Sequence, residues 1–198
     1  AYEIVSRDWS SDVCSSDLRN AWRPMSATPA AQLWRFALAL YARPGVAPAL
    51  IGLQDRLGLD VDVALYCAWC ARTGRDLDAK AIRHAVRQTR VWQRGTVARL
   101  RALRRALKVR LAAIADPAEA RAVAAFRAAV QKLEIGAERV ELGILARAAG
   151  LAGTLRTGAT LRRVARAHLD LYVASLAKRQ SHQDKADLAA VCRAVTSV

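Results

Sequence analysis

The chain has 198 residues, a formal net charge of +15, 54% hydrophobic residues, ten glycines and five prolines. Strong helix formers fill nearly every window, and no stretch alternates apolar and polar residues over the length of a strand. No apolar segment reaches the roughly 20 residues that cross a bilayer. These properties exclude a β-sheet protein and predict a single all-α domain without membrane insertion.

The first 18 residues differ in composition from the rest of the chain and resemble the translation of a short-read sequencing adapter. Residues 8–18 match one adapter arm and residues 1–3 match the other, both in one reading frame. Segments of this kind have to be set aside before the fold is considered. We therefore expect residues 1–18 to be non-native. The alternative is a native disordered N-terminus, which the double match disfavours.

Met25 is the only methionine of the chain, and we expect the native protein to begin at or slightly before it. Residues 19–24 would then be upstream DNA translated in frame, and residues 25–198 the single domain. Residues 1–24 contain three arginines and four acidic residues, which leaves a net charge of +16 for residues 25–198. Such a charge favours a polyanionic partner, although a GC-rich genome would also enrich arginine through its codons.

In chain order, helical spacing of apolar residues predicts a first helix at residues 31–41 and a second at residues 46–57. Residues 61–71 are apolar except for Asp62, so they predict a hub helix that is buried on all sides. Asp60 is placed to cap this hub helix at its N-terminus. We expect the rest of the domain to pack around it.

A long antiparallel hairpin is predicted after the hub, with arms at residues 97–115 and 117–148. Gly95-Thr96 is expected to break the chain before the first arm, and Asp116-Pro117 is a strong start signal for the second. The second arm carries apolar residues that alternate by three and four, which predicts a buried seam. Its members are Val123, Phe126, Val130, Leu133, Ala137, Val140 and Ile144. A loop near residues 151–160 and two further helices complete the prediction.

Several short segments carry a resemblance to a known family. They are LWRFALALY at 33–41, LQD at 53–55, CAW at 67–69, WQR at 92–94 and LRALRRALK at 100–108. Together they resemble the proteobacterial domain of unknown function 2390 family over about residues 33–141. The resemblance implies a small helical cytoplasmic protein without an established activity. Asp62 and Cys70 depart from the family pattern, which has Asn and an aliphatic residue there.

The basic residues form the strongest functional signal. Ten Lys and Arg and no acidic residue lie between positions 83 and 110. A first arginine stripe follows one helical face and consists of Arg83, Arg87, Arg90 and Arg94. A second basic stripe consists of Arg101, Arg104, Arg105 and Lys108. Like charges at these spacings repel one another. They are therefore expected to have a partner, either an acidic macromolecule or the acidic stripe Glu134, Glu138 and Glu141.

An alternative polar site gathers around the turn before the hub helix. Asp55, Asp60 and Asp62 lie near this turn, and carboxylates placed close together can carry out acid–base chemistry or hold a cation. The candidate members are Gln54, Asp55 and Asp60, with Trp34 and Tyr41 as a possible aromatic wall. Helix capping by Asp60 and core packing of the aromatic residues are the structural alternatives, and the sequence favours them.

Cys67 and Cys70 form a Cys-x-x-Cys pair in the hub helix. A redox pair needs a thiol at an exposed helix N-terminus, whereas Cys67 lies about two turns into an apolar helix. A zinc site needs four ligands, and the remaining candidates have no paired spacing. These candidates are His84, His168, His182 and Cys192. We therefore interpret the thiols as buried and structural, and assign neither a metal ligand nor a cofactor.

The sequence as a whole predicts a non-enzymatic cytoplasmic interaction module. Its two basic stripes would bind an acidic macromolecule, with RNA as the expected polyanion. Contacts would be to phosphates, because no known RNA-binding fold or stacking platform is evident. The alternative is a small helical enzyme or ligand binder that uses Gln54, Asp55 and Asp60, with an unidentified ligand.

Overall fold

The computed structural model describes residues 28–198, which form eight α-helices joined by short connections. They are α1 Pro29–Tyr41, α2 Val46–Leu57, α3 Val61–Arg72, α4 Ala79–Trp92, α5 Ala98–Ala112, α6 Pro117–Ala148, α7 Gly158–Ser175 and α8 His182–Ala194. The predicted all-α class is confirmed. The adapter-like residues 1–18 and residues 19–24 lie outside the described part of the chain.

Helix α3 is the predicted hub, and its residues 62–71 are all buried. It packs against α1, α6 and α7, so apolar neighbours surround the helix on all sides. Its N-terminus is capped as predicted, because the backbone N–H of Asp62 donates to the Asp60 carboxylate at 3.0 Å. The position of the hub in the fold is therefore set by its uniform apolar character.

The chain leaves the hub through a left-handed turn at Gly74, which has φ +74°. The loop after α6 packs against this turn, and the backbone N–H of Gly153 donates to the Thr73 carbonyl at 3.1 Å. A Cβ atom on Gly74 would lie 2.4 Å from the carbonyl oxygen of Thr154. Glycine is therefore required here both by the backbone conformation and by the close approach of the loop.

Helices α5 and α6 form the predicted antiparallel hairpin. The ion pairs run in opposite directions along the two arms, since Arg101 meets Glu134 while Arg110 meets Glu119. The predicted break at Gly95-Thr96 is wrong, because Gln93–Val97 forms a π-helical turn that joins α4 to α5 without a loop. A π-helical turn holds an extra residue, which rotates the following helix by about 100° relative to the preceding one.

The predicted seam of α6 is only partly correct. Val130 and Ala137 are buried, but Phe126 and Leu133 keep 56% and 62% of their surface exposed. The buried face of α6 instead includes Glu134 and Glu141. The inward face is rotated relative to the predicted seam, because the fold buries positions 134–135, 141–142 and 145–146 rather than 133, 140 and 144.

Helices α7 and α8 close the domain. α7 packs along the hub and α8 packs against α2. The guanidinium of Arg56 on α2 forms ion pairs with Asp184 at 2.7 Å and with Asp187.

Within residues 28–198 no single helix is long and apolar enough to span a bilayer. Helices α1 and α2 reach the required length and apolar character only when they are taken together, and they are bent by 99° relative to each other.

Candidate functional site

An open cleft of about 560 Å³ lies where the end of α2 and the start of α3 meet α4, α5 and α7. The polar and charged side chains in its wall are Gln54, Asp55, Asp60, Thr89, Arg90, Gln93, Arg94, Arg101, Arg105 and Tyr172. The cleft therefore brings members of both basic stripes together with members of the alternative polar site.

The first arginine stripe lies on the outer face of α4 and its π-helical turn. Arg83, Arg87, Arg90 and Arg94 are all exposed, and none of them forms an ion pair with a residue in the described part of the chain. Arg90 and Arg94 line the cleft, while Arg83 and Arg87 continue the stripe away from it. Four unpaired positive charges thus follow one helical face.

The second basic stripe divides into paired and exposed members. Arg101 donates to Glu134 at 3.0 Å and to Glu138 at 2.8 Å, and Arg104 also pairs with Glu134. Arg105 is exposed and forms an ion pair with Asp55 at 3.0 Å. Lys108 is exposed further along α5. Most of the second basic stripe is therefore neutralised within the molecule.

The alternative polar site is only partly brought together. Gln54, Asp55 and Asp60 line the cleft, whereas Trp34 and Tyr41 do not. Trp34 is buried on α1, with the guanidinium carbon of Arg139 5.4 Å from its ring centre. Burial and the nearby Glu138 charge raise the pKa of Tyr41 to about 12. The aromatic wall predicted for this site therefore belongs to the packing of α1 against α6.

A cluster of carboxylates lies next to the floor of the cleft. Asp60, Asp62 and Glu141 each place a carboxylate oxygen within 4.8 Å of the other two, and we call them the carboxylate cluster. Asp60 is half-buried and lines the cleft, while Asp62 and Glu141 are buried beneath it. The backbone N–H of Asp60 donates to the hydroxyl of Tyr172 at 2.8 Å, which fixes this side of the cluster.

The electrostatics of the carboxylate cluster favour neutral or cation-bound carboxyls. Burial raises the pKa of Glu141 to about 9, and the Asp60 charge adds to the effect. Burial also raises the pKa of Glu138 to about 7, against the opposing charge of Arg101. The pKa values of Asp60 and Asp62 are raised by burial as well. A shared proton or a bound cation would relieve this repulsion.

Sequence reasoning grouped Asp62 with the carboxylates of this turn but left it out of the predicted site, and it missed Glu141. Two signals pointed to them, because Asp62 is the only polar residue of the hub and Glu141 ends the acidic stripe. The acidic stripe was expected to face the arginines of α5. Glu134 and Glu138 do so, whereas Glu141, one turn further along α6, faces the start of the hub instead.

The thiols of the hub are buried, as the sequence indicated. Cys67 and Cys70 have no exposed surface, and burial raises the pKa of Cys70 to about 12. His168 supports the same helix from α7. Its Nε2 accepts from the Leu77 N–H at 3.0 Å, so its Nδ1 carries the proton that it shares with the Cys67 carbonyl at 3.2 Å.

A protein-family model described as "Protein of unknown function (DUF2390)" matches residues 32–145. The chain belongs to this family. No curated protein and no solved structure matches the sequence significantly. The family region contains the hub, the first arginine stripe and the carboxylate cluster, so every part of the candidate site except Tyr172 and Leu176 lies inside it.

Proposed function

We propose that this protein is a non-enzymatic cytoplasmic interaction module that binds RNA phosphates through the first arginine stripe. The observation that carries the proposal is the contrast between the two basic stripes. Arg101 and Arg104 are both paired with the buried Glu134, whereas the four arginines of the first stripe are exposed and unpaired within residues 28–198. Unpaired like charges on one face are the electrostatic footprint of a polyanion site.

The dimensions of the stripe support a phosphate backbone as the partner. Arg83 and Arg94 are eleven residues apart, so the stripe is about 16 Å long at the helical rise of 1.5 Å per residue. Guanidinium groups can donate two parallel hydrogen bonds to a phosphate. The stripe contains no exposed aromatic side chain on which a base could stack. Binding is therefore expected to be electrostatic and insensitive to sequence.

The test is a titration of the full chain into fluorescently labelled single-stranded RNA, followed by anisotropy over a series of salt concentrations. Four phosphate contacts predict a log–log slope of about −3, at roughly 0.7 for each contact on a single strand. The variant Arg87→Glu/Arg90→Glu/Arg94→Glu is expected to abolish binding. Arg162→Glu/Arg163→Glu/Arg179→Glu is the matched control, because it changes the same charge at exposed positions on and just after α7.

Two results would reject the proposal. Absence of binding at low salt would exclude RNA and leave an acidic protein or solvent as the partner of the stripe. Equal losses in the stripe variant and the control variant would mean that only the net charge matters.

The cleft supports a second candidate function, namely the binding of a small ligand. Its volume of about 560 Å³ falls in the range of pockets for small molecules, roughly 300–1,000 Å³. Gln54 and Asp60 line the same cleft as Arg90 and Arg94 and offer hydrogen-bonding groups to a ligand. Native mass spectrometry of the purified full chain tests this candidate. An excess mass larger than that of a metal ion, which disappears on denaturation and in Asp60→Asn, would support it, whereas an unmodified mass would count against it.

A further inference from the structure

The buried glutamate of the carboxylate cluster has no hydrogen-bond donor. Glu141 has no exposed surface, and neither of its carboxylate oxygens accepts a hydrogen bond from any residue that the structure describes. Buried polar groups are normally hydrogen-bonded, and buried charges are normally paired or bound to a metal ion. Glu141 instead points at Asp60 and Asp62, which are themselves acidic.

The neighbouring arginines do not neutralise the cluster. Arg101 and Arg104 are engaged with Glu134 and Glu138, at distances that include 2.8 Å and 3.0 Å for Arg101. Two arginines thus balance two glutamates. Three carboxylates then remain, and they are the three that converge. The cluster needs additional positive charge, and the structure brings together the ligands that would hold it.

We propose that Asp60, Asp62 and Glu141 form a binding site for a hard divalent cation. Carboxylate oxygens are the ligands that Mg²⁺, Mn²⁺ and Ca²⁺ prefer. Two ligands of one ion lie at most twice the metal–oxygen distance apart, which is about 4.2 Å for Mg²⁺ and roughly 4.6–5.2 Å for Ca²⁺. The three carboxylate oxygens lie within 4.8 Å of one another, a separation that one Ca²⁺ ion can bridge.

The elements that carry the ligands are rigid, and the site has a route to solvent. Asp60 caps α3 and Asp62 lies in its first turn, while Glu141 lies within the continuous helix α6. Because Asp60 lines the cleft, an ion can enter from there and keep water molecules as its remaining ligands. The proposal is independent of RNA binding, since no ligand belongs to either basic stripe.

Isothermal titration calorimetry of the full chain, first treated with EDTA and exchanged into metal-free buffer, tests the proposal. CaCl₂, MgCl₂ and MnCl₂ are the probes. We expect one site per chain for at least one ion, and an affinity that falls at least tenfold in Glu141→Gln. Asp62→Asn removes the charge of a second ligand in the same way and is expected to weaken binding as well. Glu119→Gln, an exposed position at the far end of α6, is the matched control.

Thermal unfolding with and without each ion separates loss of binding from loss of fold. Glu141→Gln is expected to fold and to lose the rise in Tm that the ion gives the wild type. Absence of binding by all three ions in the folded wild type would overturn the proposal. Unchanged binding in Glu141→Gln would also overturn it, because the ion would then be held elsewhere.

Discussion

Glu141 buries its carboxyl group completely, and no residue in the described part of the chain donates a hydrogen bond to it. Without a bound cation, its raised pKa means that the folded protein keeps a proton that the unfolded chain has released. This difference exists over the pH interval from 4.5, the ordinary pKa of a glutamate, to about 9, the pKa of Glu141 in the folded protein. The free energy of unfolding therefore decreases as the pH rises through this interval, by up to about 1.4 kcal/mol per pH unit for one proton.

This dependence is best measured between about pH 7 and pH 8.5. Below this window His168 has the opposite effect on stability. Burial lowers its pKa, so the unfolded chain binds a proton at His168 that the folded protein does not bind, and stability rises with pH there. Above it the buried thiols begin to contribute. In urea titrations with EDTA, the wild type is expected to lose stability across the window, and Glu141→Gln is expected to lose less. Equal slopes for both proteins would contradict the prediction.

His168 joins two elements through its ring nitrogens. Replacing it by Phe leaves the Leu77 N–H buried without its partner, whereas the Cys67 carbonyl loses only a second hydrogen bond and keeps the one within the hub helix. An unsatisfied buried group costs about 1–3 kcal/mol, so His168→Phe is expected to reduce the free energy of unfolding by about 1–3 kcal/mol. Urea unfolding of the variant and the wild type measures this loss of stability. His84→Phe, at an exposed position of α4, is the control and is expected to change stability little.

At the scale of elements, replacement by alanine is expected to have opposite effects on stability at Gly95 and at Gly74. A Cβ on Gly95 meets nothing within 4 Å, and its φ is not positive, so Gly95→Ala is expected to stabilise the protein by about 0.5–1 kcal/mol. Gly74→Ala would place a Cβ atom 2.4 Å from the Thr154 carbonyl oxygen on a left-handed backbone, so it is expected to destabilise the protein by more than about 1 kcal/mol. Urea unfolding of both variants compares them. Destabilisation by Gly95→Ala would mean that the π-helical turn itself needs glycine.

The sequence predicted most elements but not the connection between α4 and α5. Gly95-Thr96 is a typical helix breaker by local propensity, and only the tertiary structure shows why the helix continues there. The indole N–H of Trp92 donates to the Ala137 carbonyl at 2.9 Å, which holds the π-helical turn against α6. Local propensity is a weak predictor where packing of this kind competes with it.

The candidate site was predictable only in parts. The first arginine stripe is visible in the sequence because helical spacing alone places its members on one face. The carboxylate cluster is not visible, because it joins residues 60 and 62 to residue 141 through the packing of α3 against α6. Tyr172 reaches the cleft in the same way from α7. Patterns within one helix were accessible, and contacts between distant helices were not.

At the scale of the whole molecule, burial is distributed unevenly between the hub and the tip of the hairpin. α5 contains no buried residue, and the first buried residue of α6 is Val130. We call residues 103–129 the outer hairpin. Val109 and Phe126 in it expose 74% and 56% of their surface. The ion pair of Arg110 with Glu119 is also exposed and contributes about 0–1 kcal/mol. The outer hairpin is therefore expected to open without unfolding the rest.

Hydrogen exchange followed by mass spectrometry tests this expectation. Peptides from the outer hairpin should take up deuterium much faster than peptides from residues 62–71, which exchange only on global unfolding. Asp116→Ala sharpens the test, because Asp116 accepts from the N–H groups of Ala118 and Glu119 at 3.2 Å and 3.1 Å. Losing this cap costs about 0.5–2 kcal/mol. If opening is local, the variant accelerates exchange in the outer hairpin. The amides of the hub then still exchange only when the whole domain unfolds. Equal protection of the outer hairpin and the hub in the wild type would instead mean that the domain unfolds as one cooperative unit.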